Sequence, residues 1–238
     1  MKTYVIAGVH GDEVFGLNII GAIDRSSNQN ITTVVDHAEA IAKKRRFIES
    51  DLNRSFELKS HTIESRIAKS ISDNLRNNQH DYIIDIHTSR SNVKSVAIVA
   101  KLTETTKYLA HMLETDAIVI MPPQLTSTSL IGCQPDKSIS LEYGAGKRSD
   151  KLAIKTAEVI MSLGNIQEIK HDLPVYAVIS RIPKDYEGLS GIKNLEYDVT
   201  LNGYPFLAGV DTYPDFGGFL AQKLNKNTSD NNIVYNGE

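Results

Sequence analysis

The chain has a single cysteine, Cys133, so no disulfide can form within it. It also lacks a long apolar run. The most continuous stretches, such as Ala117 to Met121, are far shorter than the roughly 18 residues that suggest a membrane span. The first residues carry no apolar segment between a basic start and a small-residue cleavage site. These absences predict a reducing, cytoplasmic setting and no membrane partner. An excess of one charge is missing as well: the net charge is only -3. The one dense basic cluster, Lys43-Lys44-Arg45-Arg46, is too short and isolated for a nucleic-acid surface and reads as a solvated helix end, with Arg46 taken up separately below. At 238 residues the chain can bury a full core as one large domain, or as a domain of ordinary size with a small appendage.

What is present is alternation. Tyr4 to Ala7 is a short apolar run that leads through Gly8 and Gly11 into a helical pattern with Val14, Leu17, Ile20 and Gly21 at turn spacing. Ile31 to Val35 is β-rich. Between Thr62 and Asn78, the residues Ile63, Ile67, Ile71 and Leu75 recur at every fourth position, one apolar stripe on a helix that should lie on a sheet. Asp81 to Ile86 is apolar apart from Asp81 and Asp85, as expected of a strand covered on both faces. Val93 to Ala100, Ala117 to Met121 and Ser138 to Tyr143 read as further strands, with Glu104 to Glu114 and Ser149 to Ser162 as helices. The pattern predicts an α/β domain over residues 1–164, with a mixed, mostly parallel central sheet flanked by helices. From about Ile169 the texture changes. Val175 to Ile179, Leu195 to Leu201 and Tyr204 to Val210 are strand-like runs between Pro and Gly turns. They predict a small β-rich C-terminal domain over residues 165–238, beginning near Asn165 to Lys170 and ending in a frayed tail.

His10 follows the first strand, His87 follows the strand that ends at Ile86, and Glu142 sits near the end of the Ser138 strand. All three lie at carboxyl ends, the edge of an open α/β sheet where ligand crevices form. His10 and Glu13 are three residues apart beside Gly8 and Gly11, with Glu13 in the first turn of the next helix, so both side chains can face one point. Two histidines and a glutamate are a recurring ligand set of catalytic zinc, which keeps a further position for water. His10, Glu13 and His87 are therefore candidate ligands. A plainer reading makes Asp12 an N-cap, Glu13 a charge favoured at a helix N-terminus and His10 a loop residue, but it leaves the glycines and His87 unexplained. Asp85 is either a carboxylate partner for the spare N–H of His87 or a polar residue where the strand leaves the core. His37, His61, His80, His111 and His171 read as surface residues. In the segment Arg46 to Phe56, Arg54 brings a planar fork suited to a carboxylate and Asn53 brings donors and an acceptor. A pocket for an anionic substrate follows, unless Asp51 and Arg54 simply pair on the surface.

In chain order, Gly8-Val-His-Gly-Asp-Glu13, Asp51-Leu-Asn-Arg54, Asp85-Ile-His87 and Leu141-Glu-Tyr-Gly144 resemble the motifs of the succinylglutamate desuccinylase and aspartoacylase family, which is related to zinc carboxypeptidases. The likeness runs over roughly residues 1 to 163, with a weaker echo in the tail. It implies a zinc carboxypeptidase-like fold and one Zn2+ per chain on His10, Glu13 and His87, with Glu142 as general base and acid. It also implies that Asn53 and Arg54 grip the substrate carboxylate, and that Arg46 polarises the scissile carbonyl and steadies the oxyanion. In the tail it points to Tyr213 as a substrate-binding residue, where the plainer reading is a rim or core aromatic. Aspartoacylase itself reads the substrate side chain with an arginine in the loop before the catalytic glutamate. Leu130 to Ser140 offers only Lys137 as a cation, so poor discrimination between acidic and neutral side chains is expected. The resemblance implies a hydrolase of an amide, or an ester, in a small carboxylate-bearing substrate such as an N-acyl amino acid. A metallocarboxypeptidase acting on peptides and a non-catalytic zinc-binding protein of the same fold are the alternatives.

Overall fold

The alternation of strands and helices is realised in the computed structural model, which describes residues 1–26, 28–58, 60–146, 148–164, 166, 172–225 and 235–236. Strand β1 (Thr3–Ala7) leads through the His10 loop to α1 (Phe15–Asp24), β2 (Ile31–Val35) and the short α2 (Ala38–Ala42). A connection containing a 3₁₀ turn at Leu52–Arg54 follows, then α3 (Ile63–Asn77), β3 (Tyr82–Thr88), β4 (Ser95–Val99), α4 (Glu104–Met112) and β5 (Ala117–Ile120). Two one-turn helices, α5 (Pro123–Thr126) and α6 (Leu130–Cys133), precede β6 (Ser138–Tyr143) and α7 (Asp150–Ser162). The chain ends with β7 (Val175–Ile182), β8 (Tyr204–Phe206) and β9 (Gly218–Lys223). Helix α3 begins where the Thr62 hydroxyl accepts the Ser65 N–H at 3.2 Å, an N-cap, and it buries Ile71 and Leu75 of the expected stripe. The basic cluster follows the end of α2 and is exposed, as a solvated helix end should be.

These strands form one mixed sheet in the order β2-β1-β3-β6-β4-β5-β7-β9-β8. Strands β1, β2, β3 and β6 run parallel to one another; β4 pairs antiparallel with β6, and β5 and β7 follow β4 in parallel. One face packs on α1, α4 and α7 through Ile19, Ile23, Leu109, Ala157 and Ile160. The opposite face is covered in two places. Helix α3 sits over β1 and β3, where Ala68, Ile71 and Leu75 meet Tyr4, Ile6 and Ile83. A second cluster, with Val96, Ile98, Val119, Val178 and Phe219, covers β4, β5, β7 and β9. The site lies between these two covers.

The C-terminal strands differ from expectation. Leu195 to Leu201 is not a strand, because Leu195 (φ 62°) and Asn202 (φ 50°) adopt left-handed backbone and only an isolated bridge joins Asp198 to Gly203. The run beginning at Tyr204 stops at Phe206, since Leu207 takes φ 46°. Strand β9 forms where none was expected; its antiparallel pairing with β7 supplies order that a short run lacks alone. Because β7 pairs with β5, the C-terminal strands extend the same sheet. His171, most of the expected boundary near Asn165 to Lys170 and most of the expected tail lie outside the described residues. No helix among the described residues is long and apolar enough to cross a membrane.

Candidate active site

Since β1, β3 and β6 run parallel, their carboxyl ends share one edge, and the register sets His87 beside Glu142. The chain leaving β1 turns at Gly8, whose φ of 75° suits glycine. Gly11 lies so near α2 that a Cβ there would stand 2.2 Å from the Ala40 carbonyl carbon. These two glycines seat the loop that delivers His10 and Glu13 to the edge.

The Nδ1 of His10 is 2.6 Å from Glu13 Oε1, and the Nδ1 of His87 is 3.1 Å from Glu13 Oε2. One possible ligand atom from each of His10, Glu13 and His87 lies within 4.8 Å of the others, and all three residues are buried. Behind each histidine stands a carboxylate. His87 Nε2 lies 2.7 Å from Asp85 Oδ2, and His10 Nε2 lies 3.1 Å from Asp51 Oδ1. An Nε2–H that donates to a carboxylate leaves the Nδ1 lone pair facing Glu13, the tautomer a metal ligand requires. Asp85, which is fully buried and also accepts from the Ser140 hydroxyl at 3.1 Å, thus takes the first of its two sequence readings.

Burial works against charge on His10, but Glu13 and the hydrogen bond to Asp51 push its pKa above the ordinary value. Burial likewise opposes charge on His87, and Asp85 and Glu13 overcome it and push the pKa well above that value. Glu13, which burial alone would raise, is held below the usual carboxylate range by the two histidines. The cluster therefore draws positive charge into the space between its side chains. Two imidazole nitrogens and a carboxylate oxygen, with a carboxylate behind each imidazole, are a donor set that fits zinc. Glu142 is buried and accepts no hydrogen bond from a described residue; burial first, and repulsion from Glu13 second, raise its carboxyl to about 7.

All eight site residues expected from the sequence line one cavity of about 920 Å³. Arg46 donates to Asp51 Oδ2 at 3.2 Å and its Nη1 is 3.6 Å from Glu13 Oε1. Asp51, which also accepts the Asn53 N–H at 2.9 Å, is engaged with His10 and Arg46 and does not form the simple surface pair with Arg54. The Asn53 side-chain oxygen is occupied by the Leu130 N–H at 3.1 Å, so its amide NH₂ remains the group available to a ligand. Arg54 is exposed and donates to the Asn53 carbonyl at 2.7 Å. Tyr213 stacks on Phe216 with centroids 4.2 Å apart. Lys137 is not part of the cavity wall; it donates to the His80 carbonyl at 2.8 Å.

Two histidines expected at the surface are buried. His80 packs edge-on against Tyr4, and His37 lies against Glu64, with Nε2 to Oε1 at 2.9 Å. Glu64 also accepts the N–H groups of Ile48 at 2.8 Å, Glu49 at 3.0 Å and Ser50 at 3.2 Å, so it anchors the segment between Arg46 and Asp51. The signal for Glu64 was present: it shares the buried side of α3 with Ala68, Ile71 and Leu75, where a charge needs partners. Arg90, Arg148 and Lys184 also line the cavity and carried no sequence signal of their own.

The sequence profile of the succinylglutamate desuccinylase/aspartoacylase catalytic domain matches residues 1–163. A curated protein of Acaryochloris marina (strain MBIC 11017), named "Probable aspartoacylase", is 28% identical over 106 residues, which are 39% of this chain and 36% of that protein. The match thus spans about a third of the relative's length. Among solved structures, the succinylglutamate desuccinylase of Chromobacterium violaceum is similar with a TM-score of 0.73 at 17% identity, covering 95% of this chain and 86% of that one. Murine aminoacylase 3 is similar with a TM-score of 0.67 at 15% identity, covering 94% and 95%. At such identities the solved structures establish the fold alone. The profile, extending from the β1 strand to the end of α7, establishes more: this chain belongs to the succinylglutamate desuccinylase/aspartoacylase family.

Proposed function

We propose that this chain is a zinc-dependent hydrolase that removes the acyl group from a small carboxylate-bearing amide, an N-acyl amino acid. One observation carries the reading: the His10, Glu13 and His87 cluster, backed by Asp51 and Asp85, shares a cavity with the buried Glu142, which no described residue hydrogen-bonds. Family membership supports it. Residues 1–164 carry the chemistry in this reading, and residues 165–238 contribute Tyr213.

His10, Glu13 and His87 would hold one zinc per chain, which when bound would lower the pKa of a water toward about 7 and act as a Lewis acid for the scissile carbonyl. Glu142, with no hydrogen bond from a described residue to hold its carboxylate, takes the proton of the attacking water and returns it to the leaving amine. Arg46, steadied by Asp51, balances the charge that develops on the carbonyl oxygen. Arg54 and the Asn53 NH₂ hold the substrate carboxylate with charge-assisted hydrogen bonds, which fixes the direction of attack. Burial, with Glu142 adding to it, raises the pKa of Tyr213 and keeps its hydroxyl a donor to substrate.

The purified chain should carry about one zinc, and the double variant His10→Ala, His87→Ala should lose it. Full zinc retention by that variant defeats the metal assignment. Zinc-replete protein that cleaves a C-terminally free peptide but no N-acyl amino acid defeats the deacylase reading. Within this reading, N-acetyl-leucinamide should fall at least about tenfold below N-acetyl-leucine in kcat/KM, since a lost hydrogen bond to a charged group costs about 1.5 to 3 kcal/mol. Equal turnover of the two would remove the carboxylate grip.

A further inference from the structure

The face of the sheet that bears the histidines changes character from strand to strand. Register partners place Asp85, Ser140, Ile98 and Val119 in one row across β3, β6, β4 and β5, and the adjacent row holds His87, Glu142, Val96 and Ala117. Directly paired residues share a face, so both rows switch from polar to apolar between β6 and β4. The cavity follows them. Beyond Glu142 and Ser140 it is walled by Ile98 of β4, Met121 after β5, Leu125 of α5 and Ile131 of α6, with Leu207 just after β8 and Phe219 of β9. All six belong to one hydrophobic cluster, five of them as buried members.

We propose that this wall is an apolar subsite, so that the preferred substrate is an N-acyl amino acid bearing an apolar group, on its acyl chain or its amino-acid side, and not a second carboxylate. The inference rests on the hydrolytic reading above and names the substrate class of that site. A carboxylate placed against this wall would lose its water without gaining a partner, and an apolar group would gain by leaving water. The cavity's cations do not alter this. Arg148 donates to the carbonyls of Ser89 at 2.5 Å and Gly144 at 3.4 Å, and Lys184 to those of Val210, at 2.6 Å, and Tyr213. Arg54 is already taken by the substrate's one carboxylate in the reading above, and Arg90 is solvent-exposed, so the charge it offers a ligand stands in contact with water. Ile131 lies on the very segment, Leu130 to Ser140, that lacks an arginine.

The test uses the zinc-loaded full chain and a matrix of N-acetylglycine, N-acetyl-aspartate, N-acetyl-leucine, N-hexanoyl-glycine and N-hexanoyl-aspartate. Every buried methylene should raise kcat/KM about threefold to fourfold. N-acetyl-leucine or N-hexanoyl-glycine should therefore exceed N-acetyl-aspartate by more than about tenfold, and whichever gains shows which side of the amide enters the subsite. Calorimetry gives a readout free of turnover: hexanoate should bind more tightly than succinate. In Ile131→Ala, and separately in Met121→Ala, the ratio of apolar to acidic substrate should shrink; being a ratio within one preparation, it is insensitive to the folded fraction. Turnover with N-acetyl-aspartate as the best substrate, or succinate binding more tightly than hexanoate, overturns the subsite while the hydrolytic reading survives. Hexanoate binding weakened in Ile131→Ala, without turnover of any compound, leaves the subsite standing and defeats the hydrolytic reading.

Discussion

Two halves of one sheet face are built by different rules. Over β3 and β6 the face carries Asp85, His87, Ser140 and Glu142, and all but Glu142 have a hydrogen-bond partner among the described residues. Over β4, β5, β7 and β9 it carries Val96, Ile98, Val119, Val178 and Phe219, held by packing alone. The change falls between β6 and β4, where the sheet also reverses direction. The polar half extends beyond the sheet: Asp51 reaches His10, and Glu64 with His37 anchors the segment that brings Asp51 and Arg46. In such a network the loss of one partner strands another buried charge, at a cost of several kcal/mol. In the apolar half attraction is non-directional, and a small deletion is felt only locally. Glu142 is the exception within the polar half, a buried carboxylate with no donor among the described residues, which suits the proton-transfer role proposed for it.

The largest effect expected from this contrast is at that exception. Glu142→Gln nearly preserves size but cannot accept the water proton at neutral pH, so kcat should fall by about 10² to 10⁴ while zinc content is unchanged. A loss below about tenfold would assign the proton transfer to another group. Next is Glu64→Gln, which sets an NH₂ against backbone donors and removes the charge facing His37. Urea unfolding should show a loss of roughly 3 kcal/mol, the scale for breaking a buried pair. Its pH dependence has a definite sign. Burial alone would raise the Glu64 carboxyl, but the His37 hydrogen bond and the Glu49 and Ile48 N–H groups hold it at about 2, down from 4.5. A depressed carboxylate stabilises the fold above its unfolded pKa and loses that contribution as pH falls toward the folded value. Wild-type stability should therefore decline between pH 4.5 and about 2 more steeply than that of Glu64→Gln. Parallel decline in both proteins would show that Glu64 is not the acid-sensitive anchor. The smallest effect belongs to the apolar half: Ile98→Val should cost only about 0.5 to 1.5 kcal/mol in the same assay. A cost equal to that of Glu64→Gln would erase the contrast between the halves.

Much of the candidate site is legible in the sequence. His10, His87 and Glu142 each follow or end a strand, and parallel strands bring their carboxyl ends to one edge whatever their separation in sequence. Asp51 is visible in the sequence as an acidic group in the segment expected to form the pocket, with a surface pair to Arg54 as the plainer alternative. Arg54 was the nearest cation in sequence, whereas the fold brings His10 and Arg46 to it. Glu64 was legible as a charge on a buried helix side, and His37 was not, since nothing local distinguishes a loop histidine that will be covered by α3. Lys137, the one cation between Leu130 and Ser140, is turned to the His80 carbonyl, a placement that no local pattern in the sequence discloses.

The sequence by itself determined the alternation of strands and helices, the α/β class and the residues gathered at the strand ends. Those features depend on periodicity within a few residues and on the shared polarity of parallel strands. Only the tertiary structure decided that β4 would run against β6, that β9 would form, and that Ile98, Met121, Ile131 and Phe219 would complete a wall beside Glu142. These outcomes depend on which elements pair and from which side they approach. That is set by long-range packing, and no local pattern encodes it.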